Sequence, residues 1–297
     1  MSLSFPQGNY KGYYNRRGTD TRVDTFKADW FTGKYCIDIG CNEGQLTLDI
    51  AQRYQPKSII GIDYDGTLIE SAQSKLKRAK YTLENEDVQK SKTSDQVTTG
   101  NPSIIRFRPR NVKTRVDDIK DSQLQSYALY PYNLQFARRD ISCFNDTDAN
   151  ACRYDTILCL SVTKWIHLNQ GDEGLLQLFN HFFHILRTSG RLILEYQTWK
   201  SYEKRKNATD TIIRIFPTIK ILPEMFENVL VEKIGFNIEE RMGATIENSQ
   251  GFHRPILVLM KTHERVVSEE RVMTTNSIHH EEKVNLVTQR KRKLSNF

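Results

Sequence analysis

Short apolar runs rich in β-branched residues alternate along this chain with stretches whose apolar residues recur at helical spacing. The runs predict strands near 34–39, 58–62, 133–137, 154–160, 191–196, 236–242 and 255–261. The periodic stretches predict helices near 44–54, 66–80, 172–187 and 223–234. Such alternation is typical of a mostly parallel sheet covered by helices on both faces, so we expect an α/β fold.

Two segments depart from this alternation. Residues 85–130 lose the apolar period and are rich in Lys, Ser, Thr and Asp, which predicts a basic, partly disordered insertion. Residues 263–297 are polar and charged, which predicts a tail. We therefore expect an N-terminal segment at 1–30, one domain at 31–262 that carries the insertion, and the tail. A chain of 297 residues is long enough for one large core with these appendages.

The net charge of +7 is unevenly distributed, because residues 73–115 hold eleven Lys or Arg against four acids. A second basic cluster, QRKRK, lies at 289–293 and is consistent with a nuclear localisation patch, an RNA contact, or neither. Basic runs are often only solvated faces, whereas two that flank one cleft would indicate a nucleic-acid partner. No apolar run is long enough to span a bilayer and none resembles a secretory signal, so we expect a soluble intracellular protein without a membrane partner.

The cysteines argue against a metal centre. Their number is odd and no two are spaced as C-x-x-C, a pattern that favours buried free thiols over disulfides or zinc ligands. They are Cys36, Cys41, Cys143, Cys152 and Cys159.

A glycine-containing turn, DIGCNEG, follows the first predicted strand. Ligands of open α/β sheets bind at the carboxyl ends of the strands, so this turn is the expected binding position. Asp38, Gly40 and Gly44 form a D-x-G-x-x-x-G pattern. It matches neither the dinucleotide fingerprint nor the P-loop, which disfavours pyrophosphate binding.

An acid ends the second predicted strand, SIIGID. The carboxylate of Asp63 can accept hydrogen bonds from both hydroxyls of a ribose. Alternatively, Asp63 caps the helix that begins at Gly66, a role that Asp65 could equally serve.

The glycine turn resembles the first motif of class I S-adenosylmethionine-dependent methyltransferases. The resemblance implies a Rossmann-like sheet of seven strands, S-adenosylmethionine as cofactor and S-adenosylhomocysteine as product. It also implies that Gly40 approaches the amino-acid part of the cofactor, that Arg22 reaches its carboxylate, and that Asp140 and Ile141 contact the adenine. The full set of implied cofactor contacts is Tyr10, Arg22, Asp38, Gly40, Asn42, Gly44, Asp63, Tyr64, Asp140, Ile141 and Leu160.

A further stretch, LCLSVTKWIHLNQGDEGL at 158–175, resembles the bicoid-interacting-protein type of RNA methyltransferases. Segments at 8–23, 194–206 and 250–261 match the same family, and the Asn-Pro-Pro-Tyr motif of amine methyltransferases is absent. The resemblance implies methyl transfer to the 5′-terminal γ-phosphate of a small non-coding RNA. The sequence departs from the family at 195–199, where Glu-Tyr-Gln-Thr-Trp replaces Glu-Pro-Gln-Pro-Trp, and at 138–141, where Arg-Arg-Asp-Ile replaces a Gly-Asn-Tyr-like stretch.

The resemblance to this family implies that cationic and tyrosine side chains bind the methyl acceptor. Lys164 and the run at 204–206 favour the triphosphate branch over the monophosphate branch. The implied catalytic residues are Tyr10, Lys164, Lys204 and Arg205, and the implied substrate ligands are Tyr13, Arg16, His167, Asn169 and Lys206. His167 and Asn169 would orient either the loop or a phosphate. We further expect the N-terminal Tyr/Arg segment to fold over the cofactor and the RNA end together.

Structural alternatives remain for these residues. The N-terminal tyrosines could pack as an aromatic strip, Trp165 and Trp199 could anchor the core, and the basic run at 204–206 could be an exposed helix face.

Competing functions also remain open. They are methyl transfer to a protein or small molecule, transfer to a 5′-monophosphate, and an inactive RNA-binding role in a ribonucleoprotein. The expected partners are a structured small RNA with a 5′-phosphate end and ribonucleoprotein subunits, without DNA specificity, in the nucleus or between nucleus and cytoplasm.

Overall fold

The computed structural model describes Gly8, Asp20 and the ranges 22–93, 129–141, 152–243 and 254–262, all within one compact unit, Met1–Thr262. For 86–93 only the backbone is described. Of the expected appendages, residues 94–128 of the insertion, the tail at 263–297 and most of the N-terminal segment lie outside the described residues.

Seven strands form one sheet in the described residues, in the order β3-β2-β1-β4-β5-β7-β6. The first five strands run parallel, and β7 pairs antiparallel with both β5 and β6. The seven-stranded, mostly parallel sheet is confirmed. The strands are β1 (Tyr35–Ile39), β2 (Ser58–Asp63), β3 (Leu134–Arg138), β4 (Tyr154–Leu160), β5 (Leu186–Glu195), β6 (Phe236–Gly243) and β7 (Pro255–Lys261).

Helices cover both faces of this sheet. They are α1 (Arg22–Thr25), α2 (Gln45–Tyr54), α3 (Gly66–Thr93), α4 (Thr163–Ile185), α5 (Trp199–Glu203), α6 (Asp210–Ile215) and α7 (Phe226–Asn228). Short 3-10 turns lie at Ala28–Trp30, Phe216–Thr218 and Pro223–Met225, and α7 continues as a π-helical turn at Val229–Ile234.

Three elements differ from their predicted bounds. Helix α3 continues to Thr93, well into the predicted insertion, because its second half is rich in good helix formers that need no apolar face. Helix α4 begins at Thr163, and Gly171 breaks it with a φ of 69° and a ψ of −165°. Its first piece is buried almost all round, so it lacks the one-sided period that marks a surface helix. Strand β5 begins at Leu186 instead of 191.

The two faces of the sheet bury separate layers of the core. Ile37 and Ile39 of β1 pack in the layer that contains α4, whereas Cys36 packs with α2 and α3 on the opposite face. This alternation follows from the two-residue period of a strand. Cys36, Cys41 and Cys159 are buried free thiols as expected, but the free thiol of Cys152 is exposed; Cys143 lies outside the described residues.

The strand order places a switch point at β1, whose neighbours β2 and β4 lie on opposite sides. The carboxyl ends of the parallel strands meet at one edge there, which is where open α/β sheets bind ligands. Because β7 is antiparallel, its amino end reaches the same edge, and Ile256 pairs with Glu195 at the end of β5. No described helix is both long and apolar enough to cross a membrane.

Candidate active site

A cleft opens at this edge of the sheet, and its space together with the open solvent at its mouth amounts to about 1060 Å³. Its walls come from the ends of β1, β2, β4 and β5, from the start of α4, and from residues that precede β7. The predicted cofactor contacts that line it are Arg22, Asp38, Gly40, Asn42, Asp63, Tyr64, Asp140, Ile141 and Leu160.

The turn after β1 requires a glycine at position 40. Gly40 has a φ of +74°, and a Cβ atom there would lie 2.3 Å from Cγ2 of Val162. A side chain would therefore be strained and would also collide with the residue that precedes α4. Asp38 lies just before this turn, is 3% exposed, and accepts a 2.6 Å hydrogen bond from Thr47 Oγ1. Burial raises the pKa of Asp38 to about 6.

The structure does not place Gly44 in the wall of the cleft. This residue precedes α2 with a φ of +73°, and a Cβ atom would lie 2.5 Å from Cζ of Phe136 and 2.8 Å from Cβ of Ala72. Gly44 therefore lets α2 pack closely against β3 and α3, and its role as a direct cofactor contact stays a prediction.

Asp63, the last residue of β2, and Asp65, two residues later, have separate roles. Asp65 Oδ1 accepts a 2.8 Å bond from the amide of Thr67, so Asp65 caps α3. Asp63 Oδ2 instead accepts a 2.9 Å bond from the amide of Asn42, and its Oδ1 accepts a 3.0 Å bond from the amide of Asp65. Burial raises the pKa of Asp63. These contacts hold the Asp63 carboxylate across the β1 turn at the cleft wall, which is consistent with ribose binding.

Two side chains from the loop after β3 also line the cleft, at the end of the strand that pairs with β2. Asp140 is exposed and Ile141 is half-buried, and both line the cleft with Tyr64 and Leu160. Their grouping agrees with the predicted adenine contacts, which remain predictions.

The buried carboxylate of Glu195 joins three segments around the cleft. Its Oε2 accepts a 3.0 Å bond from Nη1 of Arg22, and its Oε1 lies 3.4 Å from Nη1 of Arg254. The hydroxyl of Ser161 donates to Glu195 and accepts from Arg254. Arg22 is also paired with Asp20, at 2.6 Å between Nη2 and Oδ2. The Arg22 guanidinium, predicted to reach the cofactor carboxylate, therefore already contacts two protein carboxylates.

Lys164 places a cation in the cleft without a carboxylate partner among the described residues. The residue is 7% exposed, its Nζ donates a 3.1 Å bond to Ser201 Oγ, and it lies 4.5 Å from the ring centre of Trp165. Burial is the main cause that lowers the pKa of Lys164 to about 7, and the positive charges of Arg254, Arg205 and Lys204 lower it further. Such an ammonium gains from any anion that enters the cleft.

The predicted substrate ligands His167 and Asn169 do not line the cleft. His167 is completely buried, with Nε2 2.8 Å from Asp172 Oδ1 and Nδ1 3.4 Å from the Tyr202 hydroxyl. Burial lowers its pKa. Asn169 donates a 2.8 Å bond to the carbonyl of Trp165. For His167 these contacts and its complete burial support orientation of the loop, whereas the role of Asn169 stays a prediction.

The basic run Lys204, Arg205 and Lys206 is exposed in the turn after α5 and lies outside the wall of the cleft. Two of its members are nevertheless close enough to affect the pKa of Lys164. The tryptophans match the core-anchor alternative: Trp165 is 5% exposed, and Trp199 stacks on Tyr202 and Phe216 with centroids 5.3 and 4.9 Å apart.

The N-terminal segment reaches the cleft at Gly8. A Cβ atom on Gly8 would lie 2.0 Å from Nε1 of Trp165, so the backbone runs directly against the indole. Tyr10, Tyr13 and Arg16 lie outside the described residues, and their roles stay predictions.

Sequence reasoning missed four polar residues of the cleft, namely Arg139, Ser161, Gln197 and Arg254. The last three lie inside stretches that match the RNA methyltransferase family, which was the available signal. Gln197 is 4% exposed and donates a 3.0 Å bond to the carbonyl of Ser161, which fixes the orientation of its amide. Its Oε1 is buried without a partner among the described residues.

These residues fit S-adenosylmethionine. The cofactor carries a sulfonium, an α-ammonium and two ribose hydroxyls, which are positive charges or donors. The cleft offers them the carboxylates of Asp38, Asp63 and Asp140 and the unsatisfied amide oxygen of Gln197. The described residues contain no group of His, Cys, Asp and Glu that could hold a metal ion.

Comparisons with known proteins agree with this geometry. Residues 154–261 match the family model described as Bicoid-interacting protein 3 (Bin3), and residues 36–100 match a methyltransferase domain. A probable RNA methyltransferase of Arabidopsis thaliana is 36% identical, over 86% of this chain and 81% of its own length. The U6 snRNA methylphosphate capping enzyme of Drosophila melanogaster is 34% identical, over 88% and 76%.

The 7SK snRNA methylphosphate capping enzyme of Mus musculus is 35% identical over 88% of this chain, but the match spans only 41% of that longer protein. A pre-miRNA 5′-monophosphate methyltransferase of Xenopus laevis is 23% identical, over 75% and 80%. A solved N-methyltransferase, NodS of Bradyrhizobium japonicum with bound S-adenosylhomocysteine, shares 13% identity with a TM-score of 0.47, over 88% of this chain and 92% of its own.

Proposed function

Because this chain belongs to the bicoid-interacting protein 3 family and has a class I S-adenosylmethionine-dependent methyltransferase fold, we propose that it methylates the 5′-terminal phosphate of a small structured RNA. The proposed acceptor is an oxygen of the γ-phosphate of a 5′-triphosphate. The observation that carries the proposal is Lys164, a buried lysine that lines the cleft and has no carboxylate partner among the described residues.

The two sets of charges in the cleft support an anionic acceptor. Asp38, Asp63 and Asp140 suit the positively charged cofactor, whereas Lys164 and Arg254 suit a polyanion. An acceptor with a positive charge, such as a lysine side chain, would meet like charges beside Lys164. RNA phosphate is therefore favoured over a protein amine.

The proposed reaction needs no general base. The cofactor, when bound, supplies an electrophilic methyl group, and a terminal phosphate with a second pKa of about 6 is already largely ionised at neutral pH. The work of the protein is to hold the phosphate oxygen in line, and such positioning contributes about 7–11 kcal/mol in well-oriented reactions. Lys164 would fix and neutralise the phosphate, while Trp165 and Gly8 would keep water away from that end of the cleft.

The exposed run Lys204, Arg205 and Lys206 supports the preference for a triphosphate. It lies on the Lys164 side of the site, since Lys164 bonds Ser201 of α5, the helix that directly precedes the run. A γ-phosphate beside Lys164 would leave the α- and β-phosphates for these exposed cations, whereas a monophosphate would not need them. The methylphosphate capping enzymes are also more similar to this chain, at 34–35% identity, than the Xenopus monophosphate enzyme, at 23%.

The relatives that act on 7SK and U6 snRNA support two finer parts of the proposal. The RNA would be a small nuclear RNA, and the protein would act in the nucleus or between nucleus and cytoplasm, together with ribonucleoprotein subunits.

The test incubates the full chain with methyl-labelled S-adenosylmethionine and one hairpin RNA that ends in a 5′-triphosphate, a 5′-monophosphate or a 5′-hydroxyl. We expect label on the triphosphate form, removable with the γ-phosphate by a pyrophosphohydrolase. Preference for the monophosphate would assign the protein to the monophosphate branch of the family. Label on a control peptide in the absence of RNA would refute an RNA substrate.

An inactive RNA-binding role predicts a different result. Tight RNA binding without label on any end would support that role and refute turnover. If the protein is active, Asp63→Ala should abolish methylation and leave RNA retention unchanged, because Asp63 ends β2 and contacts the β1 turn, whereas Lys164 follows β4 on the other side of β1.

A further inference from the structure

We infer that Arg254 is a second ligand of the acceptor phosphate and that Glu195 and Ser161 set its position. This inference rests on the proposed function, since it assigns a further residue to the same acceptor site. It concerns a part of the chain, the residues that precede β7, that carried no site residue in the sequence interpretation.

Arg254 reaches the cleft because β7 runs antiparallel to its neighbours. Ile256 pairs with Glu195, the last residue of β5, so Arg254 lies just beyond the carboxyl end of β5. Its side chain is 14% exposed and lines the same cleft as Lys164. The two cations therefore come from distant parts of the chain and face one space.

The contacts of Arg254 hold the guanidinium in a defined orientation. Nη1 donates to Ser161 Oγ and lies 3.4 Å from Oε1 of Glu195. Glu195 also accepts a 3.0 Å bond from Arg22, which pairs with Asp20 as well, so the Glu195 carboxylate is shared between two guanidinium groups. This shared buried carboxylate and the Ser161 hydroxyl together fix the direction of the Arg254 guanidinium, which lines the cleft.

Arg254 also acts electrostatically on Lys164. Among the charged groups that lower the pKa of Lys164, Arg254 has the largest effect, ahead of Arg205 and Lys204. Two cations that repel one another across a cleft are stabilised together by an anion placed between them. A terminal phosphate carries the charge and the oxygen geometry for this, and a guanidinium can bind two of its oxygens at once.

A purely structural role for Arg254 predicts different behaviour. If the residue only ties β7 to β5, its removal would lower the melting temperature and affect all substrates alike. If it binds phosphate, its removal would affect only the part of RNA affinity that depends on the 5′-phosphate.

The experiment measures, for the full-length protein, the affinity for one hairpin RNA with a 5′-triphosphate or a 5′-hydroxyl, the affinity for S-adenosylmethionine, and kcat and KM for methylation. The variants are Arg254→Met and Arg254→Lys. The matched control is Arg241→Met, which removes an exposed arginine that pairs with Glu227 on the outside of the sheet.

Arg254→Met should reduce the affinity advantage of the triphosphate RNA by about tenfold or more, with hydroxyl RNA and cofactor affinities within about twofold of wild type. Arg254→Lys should fall between, because it keeps the charge and loses the fork geometry. Ser161→Ala should raise KM for the triphosphate RNA and leave KM for the cofactor unchanged, because it removes the hydroxyl that orients Arg254.

An undiminished triphosphate advantage in Arg254→Met, or an equal loss in Arg241→Met, would overturn the inference. If Arg254→Met does not fold, Arg254→Lys carries the same test. The proposed function is refuted by a different result, namely a wild-type protein that methylates no phosphate end. If the wild-type protein methylates the triphosphate and Arg254→Met is equally active, only the role of Arg254 is refuted.

Discussion

Replacing Lys164 with methionine should make the ligand-free protein more stable and at the same time much less active. The two side chains have similar length, so the change removes a charge from a buried position without creating a large cavity. A residue kept for its structural contacts would show the opposite sign, because its loss would destabilise the fold.

The expected size follows from the pKa of Lys164, which burial and nearby cations lower from 10.5 to about 7. Each tenfold change in proton affinity corresponds to about 1.4 kcal/mol, so at pH 7 this lysine lowers the free energy of unfolding by about 4 kcal/mol. Loss of the hydrogen bond to Ser201 and of the contact with Trp165 offsets about 1–2 kcal/mol of this. At pH 7, Lys164→Met should therefore increase the free energy of unfolding by about 2–3 kcal/mol.

The pH dependence isolates the charge from the packing. Because the folded-state pKa is below the unfolded one, the penalty is nearly complete at pH 7 and is lost as the pH rises toward 10.5. Urea unfolding of both proteins at pH 7 and pH 9 should show the gap narrow by about 2 kcal/mol, whereas the packing terms cancel between the two pH values.

Exposed Lys200 provides the matched control. Lys200→Met should change the free energy of unfolding by less than about 0.5 kcal/mol at both pH values. In the methylation assay, Lys164→Met should lower kcat/KM for triphosphate RNA by about 100-fold, in the range of a lost charge-assisted contact to phosphate. A Lys164→Met protein that is less stable than wild type at pH 7, or a gap that does not change with pH, would refute the argument.

Three further results are expected. Gly44→Ala should lower the free energy of unfolding in urea by about 2–4 kcal/mol, because it adds a clash with Phe136 to the strain of a positive φ. Gly33→Ala has the same strain in open space and should lower it by only about 1–2 kcal/mol. Equal losses would contradict the packing role of Gly44. Asp63→Ala should weaken S-adenosylmethionine binding about tenfold or more by calorimetry, while Asp65→Ala should cost about 1 kcal/mol of stability and leave binding unchanged. Because burial raises the pKa of Asp38 to about 6, this carboxylate is protonated between pH 7 and pH 5, and the wild-type affinity for the cofactor should fall about tenfold over that range. The Asp38→Asn variant should lack this pH dependence. A wild-type affinity that does not change with pH would rule out a role for the ionised form.

Much of the cofactor side could be predicted from sequence because its residues lie in short segments around strand ends. The glycine turn at 38–44 and the acid at Asp63 each lie within a few residues of a strand, and strand ends of a parallel sheet share one edge. Local pattern therefore carries spatial information there. Gly44 shows the limit, since the pattern marks a required glycine without telling whether the nearby group is a cofactor or Phe136.

The acceptor side depended on contacts between distant segments. His167 and Lys164 are close in sequence, and both were predicted to contact phosphate. The His167 side chain is enclosed with Asp172 and Tyr202, whereas the Lys164 side chain lines the cleft. The helical period could not separate them, because Gly171 breaks the helix and its first piece is buried on nearly all sides. Which side of such a piece faces a cleft is decided by its packing partners.

The sequence by itself therefore determined the strand and helix alternation, the class of the sheet, and the glycine and acid that mark the cofactor edge, since these follow from local periodicity and backbone constraints. Only the tertiary structure decided that Lys164 is buried, that Glu195 joins Arg22 to Arg254, and that Gln197 keeps an unsatisfied oxygen at the cleft. Burial and ion pairing between segments 173 residues apart arise from the order and direction of the strands, which bring together side chains that no local pattern relates.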